Sequence, residues 1–121
     1  MAQRLSVVVA FALLLLVPSS ASASKRFTAC VAESSGCHHV FVTGDLPVLQ
    51  IKDHKHSFTH YKVCVRDAVH RECANRTTGK KGHWHRGATW NIGQLGKHVT
   101  RWYVNGKQVA RWIFRVKIEP E

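Results

Sequence analysis

Beyond its first 17 residues the chain has no apolar run long enough to cross a bilayer, which takes ~20 residues as a helix. It has no internal repeat, no low-complexity tract and no stretch with helical periodicity. That excludes a repeat array and argues against a helical fold. C-x-x-C, G-x-S-x-G and H-E-x-x-H are all absent, so the spacings that would point to a redox pair, a nucleophile elbow or a zinc protease are missing. Acidic side chains are scarce, 7 against 18 Lys and Arg, for a formal net charge of +11.

The N-terminus reads as an export signal. Arg4 supplies a short positive segment, Leu5 to Val17 an uninterrupted apolar core, and "PSSASA" a helix break with a small-x-small cleavage site at Ala21-Ser22-Ala23. Residues 1–23 are therefore expected to be a signal peptide, and 24–121 a single secreted domain with no transmembrane segment. Without Arg4, 17 Lys and Arg face the same 7 acids, leaving +10, and nine histidines add charge on acidification. Such a domain is drawn to polyanions: nucleic acid, acidic glycans, teichoic acid or anionic lipid.

What remains is short runs of β-branched and aromatic residues separated by Gly, Asp, Asn, Pro and Ser, from "RFTACVA" to "KQVARWIFRVKIE". About seven such strands without helices between them point to an all-β sandwich or small barrel. In "YKVCVRD", Tyr61, Val63 and Val65 share one face, and Lys62, Cys64 and Arg66 the other. Cys64 thus falls on the polar face, badly placed for a bridge through the core. Its natural partner is Cys73, across the turn "RDAVHR", which leaves Cys30 to pair with Cys37 around "VAESSG". Two disulfides, each closing a short loop, fit an exported chain.

The stretch "TRWYVNGKQVARWIFRV" carries the strongest hairpin signal, Asn105-Gly106. A two-residue turn would set Trp102 opposite Val109. A three-residue loop with a bulge at Gly106 would set it opposite Gln108. The second register sorts the faces better. It places Trp102, Ala110, Trp112, Phe114, Val116 and Ile118 inside. It places Arg101, Tyr103, Lys107, Val109, Arg111, Ile113 and Arg115 outside. The strands "YKVCVRD…REC" and "WYVNGKQVARWIFRV" resemble immunoglobulin-like and fibronectin-type domains, in particular small exported bacterial proteins of unknown role. The resemblance covers roughly the last half of the chain and implies a small immunoglobulin-like β-sandwich of antiparallel strands. The chain departs from the immunoglobulin pattern in two ways. Its cysteines precede the tryptophan hairpin, and Tyr61 lies three residues before Cys64, not the two of a tyrosine corner.

The candidate polyanion-binding residues are Arg101, Lys107, Arg111 and Arg115 on the hairpin, with Lys80, Lys81, Trp84 and Arg86 in "GKKGHWHRG". Trp84, between glycines, either stacks on a base or sugar from a loop or folds back onto the core. The histidines of "DHKH" (His54, His56, with His60 beyond) and "GHWH" (His83, His85) could present imidazoles to a metal if both pairs converged. Otherwise they are polar residues flanking loops, and His38-His39 make a weaker pair. A histidine beside Glu72 or Asp53 could serve a nuclease-like hydrolase. Asn75-Arg76-Thr77 is an N-x-T sequon, meaningful in a eukaryotic host. The favoured expectation is a secreted, non-catalytic binding module for an anionic polymer, glycan or envelope surface, with no cofactor. The alternatives are a small secreted histidine-dependent hydrolase and an extracellular metal-binding protein.

Overall fold

The computed structural model describes residues 25–34 and 36–120; the expected signal segment lies outside the described residues. The described residues hold strands and no helix. The strands are β1 (Phe27–Glu33), β2 (Gly36–Cys37), β3 (Val40–Val42), β4 (Val48–Asp53), β5 (His60–Arg66), β6 (Arg71–Thr77), β7 (His85–Thr89), β8 (Gly96–Val104) and β9 (Lys107–Lys117). That is nine where about seven were expected, in part because a two-residue strand such as β2 leaves no periodic signal. They form two sheets, ordered β2-β1-β4-β7 and β3-β9-β8-β5-β6. All pairings are antiparallel except β3 with β9, which run parallel. That exception corrects the all-antiparallel expectation.

The sheets pack in a sandwich-like arrangement because each buries alternate residues. Val31, Leu49 and Ile51 from one sheet meet Tyr61, Val63, Val65, Trp102, Val104, Phe114 and Val116 from the other. On β5 the alternation is as read from the sequence: Tyr61, Val63 and Val65 are buried, Lys62 and Arg66 exposed. Both disulfides are the local ones, Cys30–Cys37 and Cys64–Cys73. Cys64 and Cys73 are directly opposed in the β5–β6 ladder, so the second bridge lies on the outside of its sheet. No helix among the described residues is long and apolar enough to cross a membrane.

The β8–β9 hairpin departs from the expected register and keeps the expected faces from Trp102 and Ala110 onward, but not at its tip. There Lys107 pairs with buried Val104 on the inner side, and Val109 packs against the core, where both were expected outside. Asn105 and Gly106 both adopt positive φ, 52° and 79°, which makes a two-residue type I′ turn. Val104 pairs with Lys107 and Tyr103 with Gln108. The extra residue sits further down, where the register shifts between Trp102 and Tyr103 so that Trp102 meets Ala110 rather than Gln108 or Val109. A bulge at Val109 thus does the sorting that had been assigned to Gly106. Trp102 and Phe114 are fully buried and Val116 nearly so, whereas Arg111 and Arg115 are exposed. Two inner residues were misjudged. Ile118 lies past the end of β9 and is 68% exposed. Trp112 is only half-buried, because it sits at the edge of the core where the β2–β3 connection covers it. Its Nε1 donates to the His38 carbonyl at 2.8 Å, and its ring stacks on His39 at 4.0 Å.

Candidate polyanion-binding face

The outer face of the five-stranded sheet follows from the registers. On β8 and β9, Arg101 stands opposite Arg111 and Lys97 opposite Arg115. On β5 and β6, Arg66 stands opposite Arg71 and Lys62 opposite Asn75. Pairing of β5 with β8 joins the two halves, with Cys64 beside Arg101 and Lys62 beside Tyr103. Seven cations therefore share one face across β5, β6, β8 and β9, and Lys117 at the end of β9, beside β3, adds an eighth at its edge. Three of the pairs are like charges directly across a ladder, an arrangement that destabilises a sheet.

No carboxylate among the described residues relieves that repulsion. Glu72 is opposite Val65, so it points to the other side of its sheet. Asp53 is buried elsewhere. Asp67 follows Arg66 and lines a pocket with Arg66, Arg71 and Lys97, but its buried carboxylate is turned onto the Val69 and His70 amides. None of the seven cations enters an ion pair among the described residues. What sits between them is neutral: Val99 opposite Ile113, the Cys64–Cys73 bridge, and Tyr103 with Lys62 Nζ 5.4 Å from its ring centre. Arg71 reaches back to Cys64 Sγ at 3.3 Å. Toward the hairpin tip the face opens into a groove of about 680 Å³ lined by Lys62, Arg71, Asn75, Arg76, Tyr103 and Asn105.

The structure divides the residues singled out in the sequence. Arg101, Arg111 and Arg115 fall on this face. Lys107 is exposed at the hairpin tip, on the Val104 side of the ladder. Lys80 and Lys81 are exposed in the β6–β7 connection, and Arg86 on β7 belongs to the opposite sheet. Trp84 is 38% exposed, and Lys52 Nζ lies 4.6 Å from its ring centre. Four cations of the face, Lys62, Arg66, Arg71 and Lys97, were not singled out. Alternation within β5 had already turned Lys62 and Arg66 outward, but nothing local says that β5 lies beside β8.

The histidines do not gather: no cluster of three or more His, Cys, Asp or Glu able to hold a metal occurs among the described residues. His54 bonds Thr28 Oγ1 and His60 bonds Thr77 Oγ1, each at 2.8 Å. His85 packs edge-on to Tyr61, and burial, with the Arg76 charge, lowers its pKa. His98 is fully buried, stacked on Phe114, with Nε2 3.8 Å from Asp67 Oδ2. Burial pushes the Asp67 carboxyl upward. The amides of His70 and Val69, with the neighbouring His70 and His98, outweigh it and hold the pKa below the usual carboxylate value.

Asp53 plays a structural part that its place in "DHKH" did not reveal. It is 1% exposed and accepts from Arg26, Thr59 Oγ1 and the amides of Lys55 and His56. Burial alone would raise its pKa; the Arg26, Thr59 and amide hydrogen bonds more than reverse that and hold it well below the usual carboxylate range. A group so depressed contributes stability that is complete above the unfolded pKa of about 3.9 and is lost as pH falls through the folded value. Asp53→Asn is expected to cost about 2–3 kcal/mol at pH 7, since it leaves Arg26 and buried donors poorly matched. The difference from wild type should shrink in urea melts as pH drops below about 4. A constant difference across that range would show that the carboxylate's charge is not what matters.

No protein-family model matches the chain, and no curated protein matches it in sequence.

Proposed function

We propose that the chain is an exported, non-catalytic binding module with an immunoglobulin-like sandwich, and that it engages anionic polymers through the outer face of its five-stranded sheet. The observation that carries this reading is the set of opposed cations, Arg101 with Arg111, Lys97 with Arg115 and Arg66 with Arg71, none of them ion-paired among the described residues. A solvated basic surface has no need to stack like charges across ladders. A face that releases counterions to a polyanion gains from doing so. The order β9-β8-β5-β6 opposite β1-β4-β7 supports the architectural part, since it matches the G-F-C-C′ sheet over A-B-E in variable-type immunoglobulin domains. The disulfides differ, tying neighbouring strands within each sheet rather than sheet to sheet. Two disulfides fit an oxidising, extracellular setting.

The test is binding of the protein to soluble anionic polymers over a salt series. Log K is expected to fall linearly with log salt at a slope of about −4 to −6 if most of the seven cations engage, at ~0.7–0.9 per contact. Binding that is absent at low salt, or indifferent to salt, defeats the reading.

A further inference from the structure

The cations of this face are ordered, and the order names a ligand class. Ladder rows cross the sheet at every second residue. The first row carries Lys97 and Arg115 on β8 and β9. The next carries Arg66 and Arg71 on β5 and β6, with neutral Val99 and Ile113 on β8 and β9. The third returns to Arg101 and Arg111, with the disulfide on the other side. The fourth crosses again to Lys62, beside Tyr103. From the Lys97–Arg115 row onward, charge thus alternates from one side of the β5–β8 seam to the other as the rows advance; Lys117 lies one row before it, on the β9 side. Two residues of antiparallel strand advance ~6.8 Å. Over four rows the track is roughly 20 Å long.

A chain lying along the seam would meet cations on alternate sides once per ~6.8 Å. A protein residue contributes three backbone bonds and spans at most ~3.6 Å, so a polymer with six backbone bonds per repeat spans up to ~7 Å. A 1,3-linked polyol phosphate has six: P–O, O–C, C–C, C–C, C–O and O–P. Polyphosphate, with two bonds per charge, packs its charges far closer, roughly every 2.5 Å on the same measure. An acidic glycan with one carboxylate per disaccharide spaces them farther apart. Single-stranded nucleic acid shares the six-bond period, but its bases call for aromatic platforms. Tyr103 is the sole Phe, Tyr or Trp on this face among the described residues, and Lys62 already stands over it; the His60 imidazole at the groove is held by Thr77.

We propose that the face binds an extended polyol-phosphate polymer running along the β5–β8 seam, with successive phosphates meeting cations on alternate sides. This rests on the polyanion-binding reading above and goes further by naming the polymer. It is tested by titrating the full exported chain with poly(glycerol phosphate), polyphosphate, hyaluronate and oligo-dT at matched charge concentration and fixed salt. Poly(glycerol phosphate) is expected to bind about tenfold tighter per charge than polyphosphate or hyaluronate, one lost contact being worth about that factor at moderate salt. The preference should collapse in Arg66→Gln/Arg71→Gln, which empties one side of the track, and also in Lys97→Gln/Arg115→Gln, which empties the other. Melting curves of both variants establish that they are folded. Equal affinity per charge for all four polymers overturns the spacing argument while leaving polyanion binding in place. Tighter binding of oligo-dT overturns the polyol assignment in favour of a stacked nucleic acid. Binding to none of them removes the underlying function as well.

Discussion

Trp102→Ala is expected to cost about 3–5 kcal/mol, the usual range for truncating a buried Trp or Phe. The residue is fully buried and sits between the sheets with Phe114, Val63 and Val104. Its Nε1 has no partner among the described residues, so the effect is cavity and lost burial. Domains of this size hold only about 5–15 kcal/mol in total, so the variant should be partly or wholly unfolded at 37 °C. Trp112→Ala is the matched control. Its side chain is half-buried and gives up the bond to the His38 carbonyl and the stack on His39, for about 1–2 kcal/mol. Urea denaturation followed by circular dichroism ranks the two. A larger cost at position 112 would mean that the β2–β3 strap, rather than the centre of the sandwich, holds β9 in place.

Arg111→Glu is expected to move binding and stability in opposite directions. Arg101 stands directly opposite, so a carboxylate at position 111 turns a repulsive cross-strand pair into an attractive one. The gain is about 0.2–1 kcal/mol. The same change removes one cation from the polymer's path and sets an anion there. The salt slope should shrink by about 1–2, and affinity should drop about tenfold or more at moderate salt. Salt titrations and melting curves on the same sample read both. A variant that loses stability along with binding would show Arg111 to be part of the sheet's packing, and the opposed arginines would then say nothing about a ligand. An ordinary surface arginine replaced by glutamate has no reason to stabilise anything, since exposed charges contribute little.

The part of the fold legible in the sequence was the part set over short distances. Period-two alternation is a property of five to ten consecutive residues, so it placed Tyr61, Val63 and Val65 inside and Arg111 and Arg115 outside before any partner strand was known. It also placed Cys64 on the outer face, which was enough to choose Cys73 over a partner across the core. Asn105-Gly106 announced a hairpin, but not which one: the three-residue loop was preferred, whereas both residues adopt the positive φ of a two-residue type I′ turn. The bulge at Val109 was not legible. A bulge is selected by which cross-strand neighbours fit best, here Ala110 against Trp102, and no residue type marks the spot.

The sequence by itself determined the class of structure, the local disulfides, the excess of positive charge and the outward aim of Lys62, Arg66, Arg101, Arg111 and Arg115 on their own strands. Only the tertiary structure decided which cations are neighbours. Lys62 and Arg101 are 39 residues apart in the chain and become near neighbours because β5 chose β8, whereas Arg86 went with β7 to the other sheet. It also decided that Asp53 would gather Arg26 from 27 residues away. Strand pairing of this kind is the sum of many contacts distributed over the whole core, each worth about a kcal/mol or less. No short stretch of sequence contains that sum, so the charge was readable from the residues while its arrangement into an alternating track was not.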